Sequence, residues 1–220
     1  MDSKAVSKEI RGRAWPLLKA AGFSRFTTRT AWRDSGGKVD VFSFPSYNAY
    51  NASVLEVTPF SFSVNLGSFL TYVPPRWPPK AKDGHLMPDE AECQFRCRLP
   101  QTITQPGNKY DEVFSVDAEG RNLLWCIQDV AEQLPDALAW FARLRDRSEV
   151  LRILCDEDED MNVLSGVGRR PSPVRSYLSG YVALSLGQKE LAREKLQEAV
   201  QSNCFKTLFS SVDGAVNRAA

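Results

Sequence analysis

The sequence predicts an α+β fold: an N-terminal helix, a mainly antiparallel sheet of about four or five strands, then helices ending in a helical hairpin. Three observations predict it. Apolar residues recur with a helical period over residues 4 to 21, alternate strictly over Phe60-Ser61-Phe62-Ser63-Val64-Asn65-Leu66, and return to the helical period beyond Asp117.

Val6, Ile10, Ala14, Leu17, Leu18 and Ala21 fall on one helical face, with Lys4, Lys8, Glu9, Arg11 and Arg13 mostly opposite. Pro16 removes a backbone donor and disfavours α geometry at Trp15, which predicts a kink or a restart there. Gly22 supplies the stop before Phe23. Phe26 to Arg33 and Val39 to Phe44 read as strands joined by Asp34-Ser35-Gly36-Gly37, a hairpin. In the alternating run, Phe60, Phe62, Val64 and Leu66 are expected to face the core and the small polar residues to face water. Pro74, Pro75, Pro78, Pro79 and Pro88 make the stretch from 73 to 88 an extended loop. Glu92 to Leu99 reads as a strand with Cys93, Phe95 and Cys97 on one face and Gln94, Arg96 and Arg98 on the other. Tyr110 to Val116 reads as a short edge strand, so the sheet is expected within residues 26 to 116. Helices follow around Leu123 to Leu134, Leu138 to Leu144 and Val150 to Leu154. Charges and breakers then place the internal boundary, giving an α+β domain over 1–155, a linker over 156–173 and a C-terminal helical hairpin over 174–220 packed on that domain.

Composition narrows the function classes. With 43% apolar and 25% charged residues in a chain of 220, the protein is of ordinary globular type and long enough to bury roughly 70% of its extended-chain surface. Twenty-eight basic residues against twenty-seven acidic ones give a net charge of +1, which argues against non-specific nucleic-acid binding. The apolar windows fall far short of the ~20 residues of a spanning helix, and no signal-peptide pattern is visible. Five cysteines, an odd number, read as reduced thiols. The expectation is therefore a cytoplasmic protein with no membrane contact.

No catalytic constellation is legible. His85 is the single histidine, lies in a loop and has no nucleophile-elbow pattern near it in sequence. Cys93 and Cys97, four residues apart along a strand, would hold their thiols roughly 13 Å apart, too far for one zinc ion with bonds near 2.3 Å. The acidic run from Asp156 to Asp160 has Met161 where a calcium loop needs glycine and Val167 where it needs a bidentate carboxylate. Gly166-Val167-Gly168-Arg169-Arg170 lacks the lysine and hydroxyl of a phosphate loop. No cofactor, metal or catalytic residue is assigned.

The binding candidates are Tyr72, Arg76 and Trp77, within Tyr72-Val73-Pro74-Pro75-Arg76-Trp77-Pro78-Pro79-Lys80, and Arg96 and Arg98 on one strand face. A stiff polyproline segment loses little entropy on docking, and Trp and Arg are enriched at binding hot spots. The alternative for Trp77 is that it folds back over one sheet face. Arg96 and Arg98 could form a single-strand nucleic-acid platform or an ordinary wet sheet face.

Two resemblances enter on these residues. The first 150 resemble the bacterial domain of unknown function family 4304 through Leu17-Leu18-Lys19-Ala20-Ala21-Gly22-Phe23, Phe60-Ser61-Phe62-Ser63-Val64-Asn65-Leu66-Gly67 and Cys93-Gln94-Phe95-Arg96-Cys97-Arg98-Leu99, in the family's order, with the Pro-rich loop as an insertion. That resemblance implies a fold and no activity. Gly180, Gly187, Ala192, Leu196 and Ala199 resemble one tetratricopeptide repeat, with Ser176 and Ala183 where large aromatics are usual and Cys204 where a proline often lies. One copy cannot form a solenoid groove, so a hairpin packed on the rest is the simpler reading. The functional expectation is a non-catalytic protein-binding module, of inhibitor or immunity type. The alternatives are a carboxylate-dependent enzyme and a weak nucleic-acid binder.

Overall fold

The computed structural model describes residues 2–103, 109–156, 167 and 171–219. In order, the elements are α1 (Ser3–Ala20), β1 (Arg25–Phe26), β2 (Thr30–Asp34), β3 (Lys38–Ser43), α2 (Ala49–Val54), β4 (Asn65–Leu70), β5 (Ala81–Lys82), β6 (His85–Leu86), β7 (Phe95–Arg98), α3 (Leu123–Glu132), α4 (Leu134–Arg143), α5 (Arg147–Cys155), α6 (Pro173–Ser185), α7 (Lys189–Gln201) and α8 (Val212–Asn217). The fold is α+β, with an antiparallel five-stranded sheet in the order β1-β2-β3-β4-β7. No described helix is long and apolar enough to cross a membrane.

Backbone contacts divide the chain into two interleaved units. One comprises Met1–Asp34, Asp40–Gly67 and Cys97–Trp140; the other comprises Ser35–Val39, Ser68–Arg96 and Phe141–Ala220. The runs 157–166 and 168–170, read from sequence as linker, lie outside the described residues.

In the first unit, Asp2 caps α1 by accepting the Ala5 amide at 2.8 Å. The helix runs through Pro16 without the expected restart. Buried Trp15 and Leu18 hold the turn that the proline weakens, while Leu17, expected on the core face, is 41% exposed. Gly22 ends the segment at φ +88°; the turn to β3, within the Ser35–Val39 stretch of the second unit, uses Gly36 and Gly37 at φ +57° and +89°, as a tight hairpin requires. The core is a chain of rings. Trp15 lies 5.4 Å from both Phe26 and Phe44, Phe44 lies 6.0 Å from Phe62, and Phe62 stacks on Phe114 at 5.3 Å.

Four strand expectations are corrected here. Regular β4 begins at Asn65 rather than Phe60, because Phe62 makes only isolated bridges, to Ser46 and Phe114. Ser63 donates its amide to the carbonyl of Pro45, which has no N–H to return the bond. The polar face of this run is also not wet: Ser61 and Ser63 are buried. Their hydroxyls are satisfied, since Ser61 Oγ accepts the Val116 amide at 2.9 Å and Ser63 Oγ shares a 2.5 Å hydrogen bond with Tyr47 Oη. The segment Tyr110 to Val116 forms the bridge at Phe114 instead of an edge strand. Finally, Glu92 to Leu99 contributes only Phe95–Arg98 to the sheet. A 3-10 turn over Glu90–Glu92 precedes it, closed by Glu92 accepting the Asp89 amide at 2.7 Å.

In the second unit the Pro-rich stretch contains a small hairpin, β5 and β6, turned by Asp83 and Gly84 with positive φ. The last fifty residues form α6 and α7 around Gly187, plus α8, which periodicity did not foresee. Ser172 caps α6 and Pro173 opens it. At the crossing, a Cβ on Gly180 would stand 2.7 Å from Leu196 Cγ and 3.3 Å from the Leu196 amide nitrogen. Gly180→Ala gains about 1 kcal/mol of helix propensity but must separate the two helices, a strain of about 1–3 kcal/mol. The expected outcome is a net loss of about 1 kcal/mol, read as a Tm lower by about 2–4 °C. An unchanged or raised Tm would show that α7 yields freely.

Candidate functional site

The site grows out of the end of β4. Thr71 returns to the hairpin turn, its amide and hydroxyl both donating to the Gly37 carbonyl, at 3.0 and 2.7 Å. Tyr72 lies beneath the Arg147 guanidinium, 4.4 Å from its ring centre. Burial pushes its phenol up to about 12, opposed by the Arg147 charge. Tyr72 therefore braces the loop's first residues on this turn.

Val73 is buried, and the chain then leaves through two prolines. No described backbone amide donates to the carbonyls of Pro74 and Pro75. Each finds a partner far along the chain: Tyr177 Oη donates to the Pro74 carbonyl at 2.5 Å, and Arg218 Nη2 to the Pro75 carbonyl at 3.1 Å. Next, Arg76 Nη2 donates to the Cys204 carbonyl at 3.0 Å, and its guanidinium lies 5.2 Å from the Trp77 ring and 5.6 Å from the Phe205 ring. Trp77 is 71% exposed, so it does not fold back as a cover.

Behind this loop the rings form a second cluster. Tyr177 stacks on Phe205 at 4.5 Å and meets Tyr181 edge-on at 4.8 Å, and Phe205 stacks on Phe209 at 6.0 Å. Tyr181 donates to the Ala215 carbonyl at 2.8 Å, tying in α8. Burial raises the Tyr177 phenol, while the nearby Arg218 and Arg76 charges pull it back. Loop and cluster enclose a mainly apolar groove of about 320 Å³. Pro74, Pro75, Arg76 and Trp77 line it from the loop, Ala91 to Gln94 from the turn before β7, Val174, Tyr177 and Leu178 from α6, and Phe205 after α7.

The remaining sequence candidates lie elsewhere. Arg96 is 3.9 Å from Glu90, and Arg98 pairs with Glu112 at 2.7 Å. Their charges are matched by carboxylates, which weakens the case for a nucleic-acid platform. His85 is exposed in β6. Cys97 is half-buried and burial pushes its thiol up, away from the thiolate that a nucleophile needs. None of the five cysteines is in a disulfide. Among the described residues no group of three or more His, Cys, Asp or Glu stands together as a metal set.

A second cavity of about 500 Å³ lies beside α5, α6 and α7. Its polar groups already serve the fold. Buried Arg175 donates to the carbonyls of Ile153, Leu154 and Asp156, closing the C-terminal end of α5, and Glu198 accepts Ser176 Oγ and Lys195 Nζ, each at 2.7 Å.

Comparison with family models, curated proteins and solved structures finds no match. The groove is therefore argued from its own geometry. Reading the sequence singled out Arg76 and Trp77 but not Tyr177, Leu178, Val174 or Phe205. A signal existed in Tyr177 with Tyr181 and Phe205 with Phe209, two aromatic pairs at a spacing of four. Nothing in the sequence joins those pairs to a proline loop a hundred residues earlier.

Proposed function

We propose that the protein is a non-catalytic binding module that takes an extended segment of another protein into the groove beside Trp77. The observation that carries this reading is an indole left 71% exposed at the mouth of an apolar groove whose loop wall is pinned by Tyr177, Arg218 and Arg76. A large ring on a braced, proline-stiffened wall loses little entropy when it is covered, which is what a hot spot needs.

The pinning also sets the direction of recognition. A free polyproline ligand offers its carbonyls to a partner, but those of Pro74 and Pro75 are already bonded within the chain. The loop thus acts as a wall of the receptor and not as the ligand. Resemblance to the family named above supplies a fold analogy and lends this reading no activity. A single tetratricopeptide-like hairpin over α6 and α7 fits the same reading, with α6 as the groove floor.

Trp77→Ala is expected to weaken the partner about 30-fold, the effect of losing about 2 kcal/mol at a hot spot, while leaving stability within about 0.5 kcal/mol. The check is affinity capture from the source organism with wild-type and Trp77→Ala baits, followed by Kd measurement on the purified partner. Equal capture and equal Kd would remove the groove from the reading.

A further inference from the structure

The charges around the groove are unevenly used. Asp89 faces Lys80 at 3.5 Å and Glu90 faces Arg96 at 3.9 Å, while Glu92, which also lines the groove, is tied back to the Asp89 amide at 2.7 Å. Two guanidiniums do not have the matching acid. Arg76 spends one N–H on the Cys204 carbonyl and lies against two rings; Arg218 spends one on the Pro75 carbonyl and also bonds the Tyr177 and Tyr181 phenols. Neither has a carboxylate within ion-pair distance among the described residues. Arg218 and Tyr177 hold the neighbouring carbonyls of Pro75 and Pro74, and Arg76 lies against Phe205, on which Tyr177 stacks.

A guanidinium with unused N–H groups, held by a carbonyl and lying against two aromatic rings, is pre-organised for bidentate contact with a carboxylate. Little ordering entropy remains to be lost on binding. The groove beside it is apolar and at the lower end of the size range for a small-ligand site, enough for the side chain of an anchoring residue rather than a folded domain. The apolar floor and the Arg76 guanidinium at its loop wall together favour an occupant with one apolar anchor beside an acid.

We infer that the segment taken by the groove is an acidic peptide, with an aromatic or large aliphatic side chain in the groove and a neighbouring carboxylate on Arg76. This rests on the binding reading above and narrows it to a chemical class. The occupant is recognised by two features acting together. An apolar peptide without acids leaves the guanidiniums unmatched, and an acidic peptide without an anchor leaves Trp77 exposed.

The test pans the full chain against a phage library of random dodecapeptides, with Trp77→Ala as the counter-selection bait, and then measures the enriched peptides by fluorescence anisotropy. Enriched sequences are expected to carry net negative charge around one large apolar residue. Arg76→Gln, which keeps the stem and an amide donor, should weaken them about 10-fold, as should replacing the peptide's acids by their amides, a change that leaves the protein untouched. Raising salt from about 0.1 to 1 M, which shortens the screening length from ~10 to ~3 Å, should weaken them too. Peptides that depend on Trp77 but are neutral or basic, or that ignore Arg76→Gln, salt and amidation alike, would overturn the acidic assignment and leave the groove reading standing. Failure to enrich any Trp77-dependent peptide would overturn both.

Discussion

Asp40→Ala is expected to destabilise the protein by about 3–5 kcal/mol, because it strands a cation in the interior. Asp40 is fully buried on β3 and Arg33 is 8% exposed on β2. The carboxylate Oδ2 accepts Arg33 Nε at 3.0 Å and Nη2 at 2.7 Å, while Nη1 reaches back to the Ala21 carbonyl at 2.7 Å at the end of α1. The guanidinium also lies 4.8 Å from the Phe23 ring. One ion pair thus fixes the β2–β3 hairpin and the exit of α1 together. Removing the acid takes from a buried guanidinium the carboxylate that accepts two of its N–H groups, and the desolvation that this pair offset loses that compensation. The double variant Arg33→Met with Asp40→Leu separates this from simple loss of attraction. Without a stranded charge it should lose far less than Asp40→Ala, since apolar replacement of a buried pair is often close to neutral. The measurement is the denaturant midpoint at unchanged slope. Equal losses in the single and double variants would mean that the pair itself, and not the stranded cation, carries the effect.

That pair also marks where sequence reading stops. Arg33 and Asp40 each fall in a run read as strand, and strand charges are expected on the wet face. Their burial depends on register across the hairpin and on α1 closing over Ala21, neither of which is encoded locally. The order helix, sheet, helices was legible because apolar period is a local property: Val6, Ile10 and Leu18, or Phe62, Val64 and Leu66, report their faces from spacing alone, and all are buried. Polar members of the same runs are not decided by spacing. Ser61 is inside because the Val116 amide, 55 residues on, donates to its hydroxyl. The groove follows the same rule. Stiffness at Arg76 and Trp77 is readable from the neighbouring prolines, but the exposure of Trp77 is not, and the floor comes from residues 174 to 205 through bonds that only the folded chain makes.

Phe62 is the position where local signal and long-range packing coincide, and Phe62→Ala is expected to cost about 3–5 kcal/mol. The ring is wholly buried, stacked on Phe114 with an interplanar angle of 2° and tilted against Phe44. Its backbone holds the same neighbour by two bonds, Phe62 amide to Phe114 carbonyl at 3.2 Å and the reverse at 2.8 Å. Because Phe114 belongs to no strand, this bridge, the Ser61 hydroxyl bond to Val116 and the ring stack hold its segment in place. Truncation therefore removes packing and loosens an isolated bridge in one step, whereas a residue inside a regular ladder would lose packing alone. Phe62→Leu, which keeps most of the volume, should cost under about 1.5 kcal/mol. A double-mutant cycle with Phe114→Ala should give a coupling of about 0.5–1.5 kcal/mol from the ring pair. Hydrogen exchange supplies the distinguishing readout: in Phe62→Ala the amides of Phe114 and Val116 should lose protection before those of β2 and β3. If all three segments exchange together, the 110–116 segment is not a separately loosened part of the core and the full loss belongs to global unfolding.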